Sequence, residues 1–166
     1  SLLLANTDLL EPTFRRSVIY IVEHNDGGTL GVVLNRSSET AVHNVLPQWS
    51  DLVAKPKTMF IGGPVKRDAA LCLGILRIGQ DPDGLPGLRH VAGRIVMVDL
   101  DADPDTIAES VEGVRIFAGY SGWGAGQLEH LAVDPGRAVH AVGDRRDRHL
   151  GVVEARPEAV EHLATD

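Results

Sequence analysis

The stretch Val114–Glu129, Val-Arg-Ile-Phe-Ala-Gly-Tyr-Ser-Gly-Trp-Gly-Ala-Gly-Gln-Leu-Glu, restricts what this chain can fold into more than any other. Val114 to Ala118 is a short apolar run with β-branched and aromatic members, the pattern of a strand buried on at least one face. Gly119, Gly122, Gly124 and Gly126 then interrupt it. Glycine reaches positive φ without a steric penalty and admits another backbone or a ligand at close range, so a sharp turn is expected after the strand. Gln127, Leu128 and Glu129 read as the start of a helix. The turn would then lie at a helix N-terminus, where free N–H groups and the helix dipole favour an anion. Two readings stand side by side. Either Tyr120 and Trp123 cap the core over a tight turn, or the turn is an anion or ligand site.

Three motifs of known chemistry fail against this stretch. A nucleophile elbow needs Gly-x-Ser-x-Gly, but Trp123 stands where the last glycine belongs. A dinucleotide fingerprint needs Gly-x-Gly-x-x-Gly, and Gly126 follows Gly122-Trp123-Gly124 one residue too soon. A Walker loop needs a Lys after its glycines, and none follows. The histidines (His24, His43, His90, His130, His140, His149 and His162) show no pair at zincin spacing. No metal or other cofactor is expected. Cys72 is the single cysteine, which excludes an internal disulfide; in Ala70-Leu71-Cys72-Leu73 it reads as a buried, inert thiol.

Several flanking segments are legible. Leu2 to Ala5 and Val18 to Val22 read as strands, and Asn25-Asp26-Gly27-Gly28 as a turn into a second run from Thr29 to Leu34. Together the last two runs predict an antiparallel hairpin. Thr40 is placed to cap a short helix from Ala41 to about Leu46, and Trp49 follows in a loop, packed against the core. Thr58 to Ile61 reads as a strand running into the bend Gly62-Gly63-Pro64-Val65, and Ala70 to Ile78 as another. Asp81 to Gly87 is an exposed loop and Arg94 to Leu100 a strand. Asp103 caps a helix that starts at Pro104, runs to about Val111 and stops at Gly113. That helix and its flanking strands form a crossover unit, and the mixture of hairpins and helices points to α+β.

The 166 residues suit one domain, and 43% hydrophobic with 23% charged residues is ordinary for a globular chain. A formal charge of −7 argues against nonspecific affinity for phosphate backbones. No apolar run reaches the ~20 residues of a membrane span, so the cytosol is the expected compartment.

Four segments, in order, resemble one family. They are Phe14-Arg15-Arg16-Ser17-Val18-Ile19-Tyr20-Ile21-Val22-Glu23-His24-Asn25, Leu30-Gly31-Val32-Val33-Leu34-Asn35-Arg36, Gly62-Gly63-Pro64-Val65, and Gly119-Tyr120-Ser121-Gly122-Trp123 with Gly126-Gln127-Leu128-Glu129. The chain resembles the AlgH/YqgE family over about residues 2–129. The resemblance implies a single bacterial α+β domain whose bifurcated, mostly antiparallel sheet curls into a pseudo-barrel with a few flanking helices. It also implies a label of transcriptional regulator and no catalytic residue to carry over. Position 121 is alanine in some members, which weighs against Ser121 as a nucleophile. The likeness ends at Glu129. From His130 to Asp166 the chain lacks Trp, Ile, Phe, Tyr, Lys, Asn, Gln, Ser, Met and Cys. Residues 130–166 therefore read as a divergent part of the same domain, with the composition expected of a shifted frame in a GC-rich gene. Strands are expected at Ala138–Val142 and Leu150–Val153, and a helix from Pro157 to Leu163.

The expected function is a non-catalytic regulatory or protein-binding module. A protein partner is favoured over nucleic acid, because neither a helix-turn-helix pattern nor a basic stripe is visible. The alternative is a small anionic-ligand binder or an enzyme using the glycine loop 119–126. In that alternative the bend at Gly62, Gly63 and Pro64 lies close by, and Asn35 and Arg36 join it. Arg15, Arg16, Tyr120, Ser121, Trp123, Gln127 and Glu129 complete the candidate binding residues. Nothing in the sequence sets the oligomeric state.

Overall fold

The apolar runs in Val18–Asn25 (β2) and Gly28–Val33 (β3), joined by a turn-forming tetrad, produce the expected antiparallel hairpin. Its two-residue turn is held by the Gly27 amide, which donates to Asn25 Oδ1 at 2.8 Å. The computed structural model describes residues 2–5, 17–124, 138–140 and 151–155. Leu2–Ala5 (β1) is a strand, as the sequence suggests, and it pairs with β2. The expected helix at 157–163 lies outside the described residues, as do Arg15, Arg16, Gln127 and Glu129.

Beyond the hairpin, Ser37–Ala41 is a strand (β4) paired with Thr58–Ile61 (β5). This corrects the expectation that Thr40 caps a helix. The helix is only Val42–Val45 (α1), preceded by Ala41 with no side-chain cap. Pairing to β5 wins the segment, and the Ser38 hydroxyl reinforces it by donating to the Met59 carbonyl at 2.6 Å. A 3₁₀ turn, Pro47–Trp49, then carries Trp49 into the core.

Strand β6 (Val65–Leu76) begins five residues before the expected Ala70, and Leu88–Ala92 (β7) is a strand that the sequence reading missed. Strand β8 (Ile95–Val98) and helix α2 (Pro104–Ala108) follow. Asp103 caps α2 as expected, its carboxylate accepting from the Asp105 amide at 3.0 Å. The helix ends early, however, because Val111 and Gly113 already belong to β9 (Val111–Gly124), the longest strand. Strands β8 and β9 are both antiparallel to β6, which lies between them, so α2 makes the expected crossover. Two further strands, β10 (Ala138–His140) and β11 (Gly151–Ala155), pair with each other, and β11 pairs with β1.

The sheet runs β10-β11-β1-β2-β3-β9-β6-β8-β7, and β5 with β4 branches from β9. It is mostly antiparallel, bifurcated and curled into a half-barrel. The curl brings Glu23 of β2 within 4.0 Å of Arg89 of β7, although four strands separate β2 from β7 in the sheet order. Both faces of the central strands are buried. On β9, Val114 and Ile116 join one cluster, which Trp49 and Ile107 cover from the helical side. Phe117 joins the other, with Tyr20, Val32, Phe60 and Ile95 on the concave side. Period-2 alternation with apolar residues on both sides thus gives one sheet two cores.

One consequence concerns Tyr20, which is fully buried and whose hydroxyl has no hydrogen-bond partner among the described residues. Burial disfavours the phenolate and pushes its pKa up to about 12. The unfolded chain gives up this proton near the ordinary tyrosine value of 10.0, so the contribution is complete below that pH. It is lost as the pH rises towards about 12. Tyr20→Phe is expected to flatten the loss of stability in this alkaline range, measured by urea unfolding at stepped pH. A parallel decline in both proteins would show that Tyr20 is not its source.

Candidate functional site

The glycine-rich stretch builds a fork rather than a turn. Residues 119–124 are extended strand, which corrects the expected loop over that part. On one edge β9 pairs with β6. Its other edge pairs with β5 in parallel at Phe117 and Ala118, then with β3 from Ser121 to Gly124. The two partners separate at Gly119, and the bend Gly62–Gly63 fills the gap between them. The Gly62 amide donates to the Ala118 carbonyl at 2.9 Å, and the Val33 amide to the Gly62 carbonyl at 2.8 Å. The buried Ser121 hydroxyl donates to that same carbonyl at 3.2 Å. Gly119 has a φ of +74°, and a Cβ there would stand 2.6 Å from the Gly63 carbonyl. A Cβ on Gly63 would overlap the Tyr120 carbonyl. Both glycines are therefore demanded by backbone packed on backbone.

Asn35 and Arg36 stand beside this fork, as the sequence reading expected. Asn35 Oδ1 accepts from the Val18 amide at 2.8 Å, and the Arg36 carbonyl accepts from the Ile61 amide at 2.8 Å. Gly62, Gly63 and Ser121 meet them there. The contacts are structural ones, and an extended 119–124 is not the wrapped loop that an anion cradle from those amides requires. Pro64 is exposed. Tyr120 and Trp123 lie further along β9, towards the tip of the β2–β3 hairpin.

Two concavities flank the fork. The larger, about 470 Å³, is a groove with a floor of Met59, Ile61, Ala70 and Ala118. One wall is Ser38, Thr40 and Val45; the other is Arg67, Asp68 and Ala69. The second wall exists because β6 bulges. Val65 faces Tyr120 and Ala70 faces Ala118, so four residues of β6 oppose Gly119 alone. Lys66 has a φ of 45°, an uncommon conformation for a residue with a side chain, and it turns Arg67 and Asp68 to the groove. The sequence reading missed these residues. Their signal was a charged triple, Lys66-Arg67-Asp68, standing between a Gly-Gly-Pro bend and an apolar run. The smaller concavity, about 290 Å³, is bordered by Glu23, Asn25, Thr29, Leu30, Tyr120 and Trp123.

Two other groups are buried. Arg115, 6% exposed, holds its guanidinium carbon 4.2 Å from the Phe60 ring centroid and donates through Nη1 to the Leu34 carbonyl at 3.4 Å. Burial pushes the Cys72 thiol far above its ordinary range, as its apolar neighbours suggest. No helix among the described residues is long and apolar enough to cross a membrane.

Comparison with known proteins agrees with this architecture. The family model described as DUF179, AlgH-like, matches residues 2–133. A UPF0301 protein of Mycobacterium bovis (strain BCG / Pasteur 1173P2) is 69% identical over 172 aligned residues, covering 99% of this chain and 85% of the relative. A UPF0301 protein of Mycobacterium marinum (strain ATCC BAA-535 / M) is 87% identical over 129 residues, covering 78% of this chain and 64% of the relative. The crystal structure of protein DIP2367 from Corynebacterium diphtheriae superposes with a TM-score of 0.81 at 34% identity, covering 99% of this chain and 77% of that one. With its four motifs, its forked half-barrel and these relatives taken together, the chain belongs to the AlgH-like UPF0301 family.

Proposed function

We propose that the protein is a non-catalytic binding module that docks an extended segment of a partner protein in the groove between β4 and the β6 bulge. The observation that carries this reading is the groove itself. An apolar floor from three strands is flanked by Arg67 and Asp68 on a bulge that forces Lys66 to a positive φ. Bulges that re-aim side chains recur beside functional surfaces, and left-handed residues with side chains are costly enough to invite a reason. Beside the floor runs β4, which among the described residues pairs only with β5. An apolar groove with polar walls suits an extended peptide, whose alternate side chains enter the floor.

The charges support a protein over a nucleic acid. Arg67 and Asp68 offer one charge of each sign, which fits a peptide carrying both and gives no net attraction to a phosphate backbone. Any regulatory role in transcription would then pass through a protein partner.

A photo-crosslinking residue at Val45, whose side chain is half-exposed on the groove wall, tests this in the native bacterial host. A discrete adduct is expected, and it should disappear when Ala70→Trp fills the floor or Arg67→Glu reverses the rim charge. Ala70 is exposed on a strand, so the filled variant should melt like the parent. An adduct that survives both substitutions would place the partner elsewhere.

A further inference from the structure

We infer that the smaller concavity, at the hairpin tip, is a binding site for a guanidinium ion. It shares no lining residue with the groove.

The first observation is a turned carboxylate. In β2, Ile21 pairs with Gly31 but Glu23 pairs with Leu30, so Val22 is an extra residue. Strict alternation from Tyr20, on the concave side, would send Glu23 to the opposite face. The bulge returns it to the side of Tyr20, Val22 and Leu30, beside the concave core. An acidic side chain thus borders a cavity that Leu30, Tyr120 and Trp123 line together with polar residues and glycines. Its side chain is 49% exposed, and its recorded ion pair is with Arg89 at 4.0 Å, the outer limit of such a contact. A carboxylate offers about four acceptor sites, so most of its capacity is open to a ligand.

The second observation is the opposite wall. Register carries the row Glu23–Leu30 on to Gly122, and the row Asn25–Gly28 on to Gly124. Tyr120 follows two residues before Gly122, on the same side, and packs against the concave core with Leu30. Between Glu23 and Tyr120 stands the Leu30 side chain, and beside it Gly28, Gly122 and Gly124 leave the backbone without Cβ atoms. A flat ion can lie there, its edge on the carboxylate and its face to the ring. Guanidinium matches both demands: it is planar, donates bidentately to a carboxylate and stacks on aromatic rings. An anion would meet the Glu23 charge, so this site inverts the sign that the glycine-rich sequence suggested. Asp26 at the hairpin turn adds to the negative field, and Arg89 opposes it. Residue His24 is engaged by Thr29, its Nδ1 lying 2.5 Å from the hydroxyl.

The test is an amide NMR titration with N-acetyl-arginine amide, against the neutral isostere N-acetyl-citrulline amide. Saturating shifts are expected at Gly28, Gly122 and Gly124, with citrulline weaker by about tenfold or more, the ratio that loss of a charge-assisted pair implies. Glu23→Gln should weaken the arginine ligand by a similar factor. Gly122→Val should abolish binding while folding normally, since a Cβ there meets only Tyr120 Cε2 at 3.8 Å and the Thr29 carbonyl at 4.0 Å. Methylguanidinium binding as tightly as the arginine amide would identify a free guanidine; an arginine-containing peptide binding tighter would identify a partner's side chain. The inference fails if citrulline binds equally well, if Glu23→Gln titrates like the parent, or if no ligand moves these glycines.

Discussion

Gly63→Ala is expected to destabilise the fold by at least about 3 kcal/mol, combining forced overpacking with an unfavourable φ. The new methyl group would overlap the Tyr120 carbonyl and crowd the Ser121 hydroxyl at 2.5 Å, and Gly63 has a φ of +157°. The carbonyl is backbone and cannot swing aside, because it belongs to the strand on which the whole sheet divides. Relief would require the Gly62–Gly63 bend to leave the fork, breaking the bonds from Gly62 to Ala118 and from Val33 to Gly62. Against a total stability of roughly 5–15 kcal/mol such a loss leaves a barely folded protein. Gly93→Ala is the control, because Gly93 also has a positive φ of +54° but nothing within 4 Å of its would-be Cβ. It should cost only about 1–2 kcal/mol, the conformational part alone. Urea unfolding of the two variants separates the effects. Equal losses would mean that the fork is not closed by backbone contact.

Trp49→Ala should cost about 3–5 kcal/mol, the range for truncating a fully buried aromatic side chain. Trp49 is 0% exposed and lies within the cluster of Val42, Val53, Met59 and Ile107. Its indole N–H donates to the Leu100 carbonyl at 3.3 Å, tying the 3₁₀ turn to the segment after β8. For a chain of this size the loss corresponds to a fall in Tm of about 6–20 °C. Trp49→Phe keeps most of the packing and removes the donor, so it should cost less than half as much. If thermal melting places Trp49→Ala within a degree or two of the parent, Trp49 is not a core anchor.

Much of this architecture could be read from residue order, because local rules produce it. The β2–β3 hairpin follows from a turn-forming tetrad between two apolar runs, and α2 from Asp103 ahead of Pro104. Burial of Trp49 and Cys72 follows from their size and neighbours. Errors gathered where a distant partner outbid a local preference. Thr40 has the chemistry of a helix cap, yet β5 recruits its segment as a strand. Gly113 resembles a helix stop, yet β6 claims it for β9. Strand β7 is short and half polar, so little marks it before β8 arrives to pair with it.

The candidate sites divide in the same way. That Gly62, Gly63 and Gly119 serve demanding backbone positions, with Asn35 and Arg36 near them, was legible, since only glycine tolerates the closest approaches. What they are for was not. Four glycines in eight residues fit a turn as well as a forked strand, and local geometry does not choose between them. The choice falls to β3, β5 and β6, which are remote in sequence and all compete for the edges of β9. Likewise the inward Glu23 and the rim formed by Arg67 and Asp68 depend on bulges in β2 and β6. A bulge changes register by counting residues against a partner strand. The residues on one strand alone cannot specify it; the pairing can.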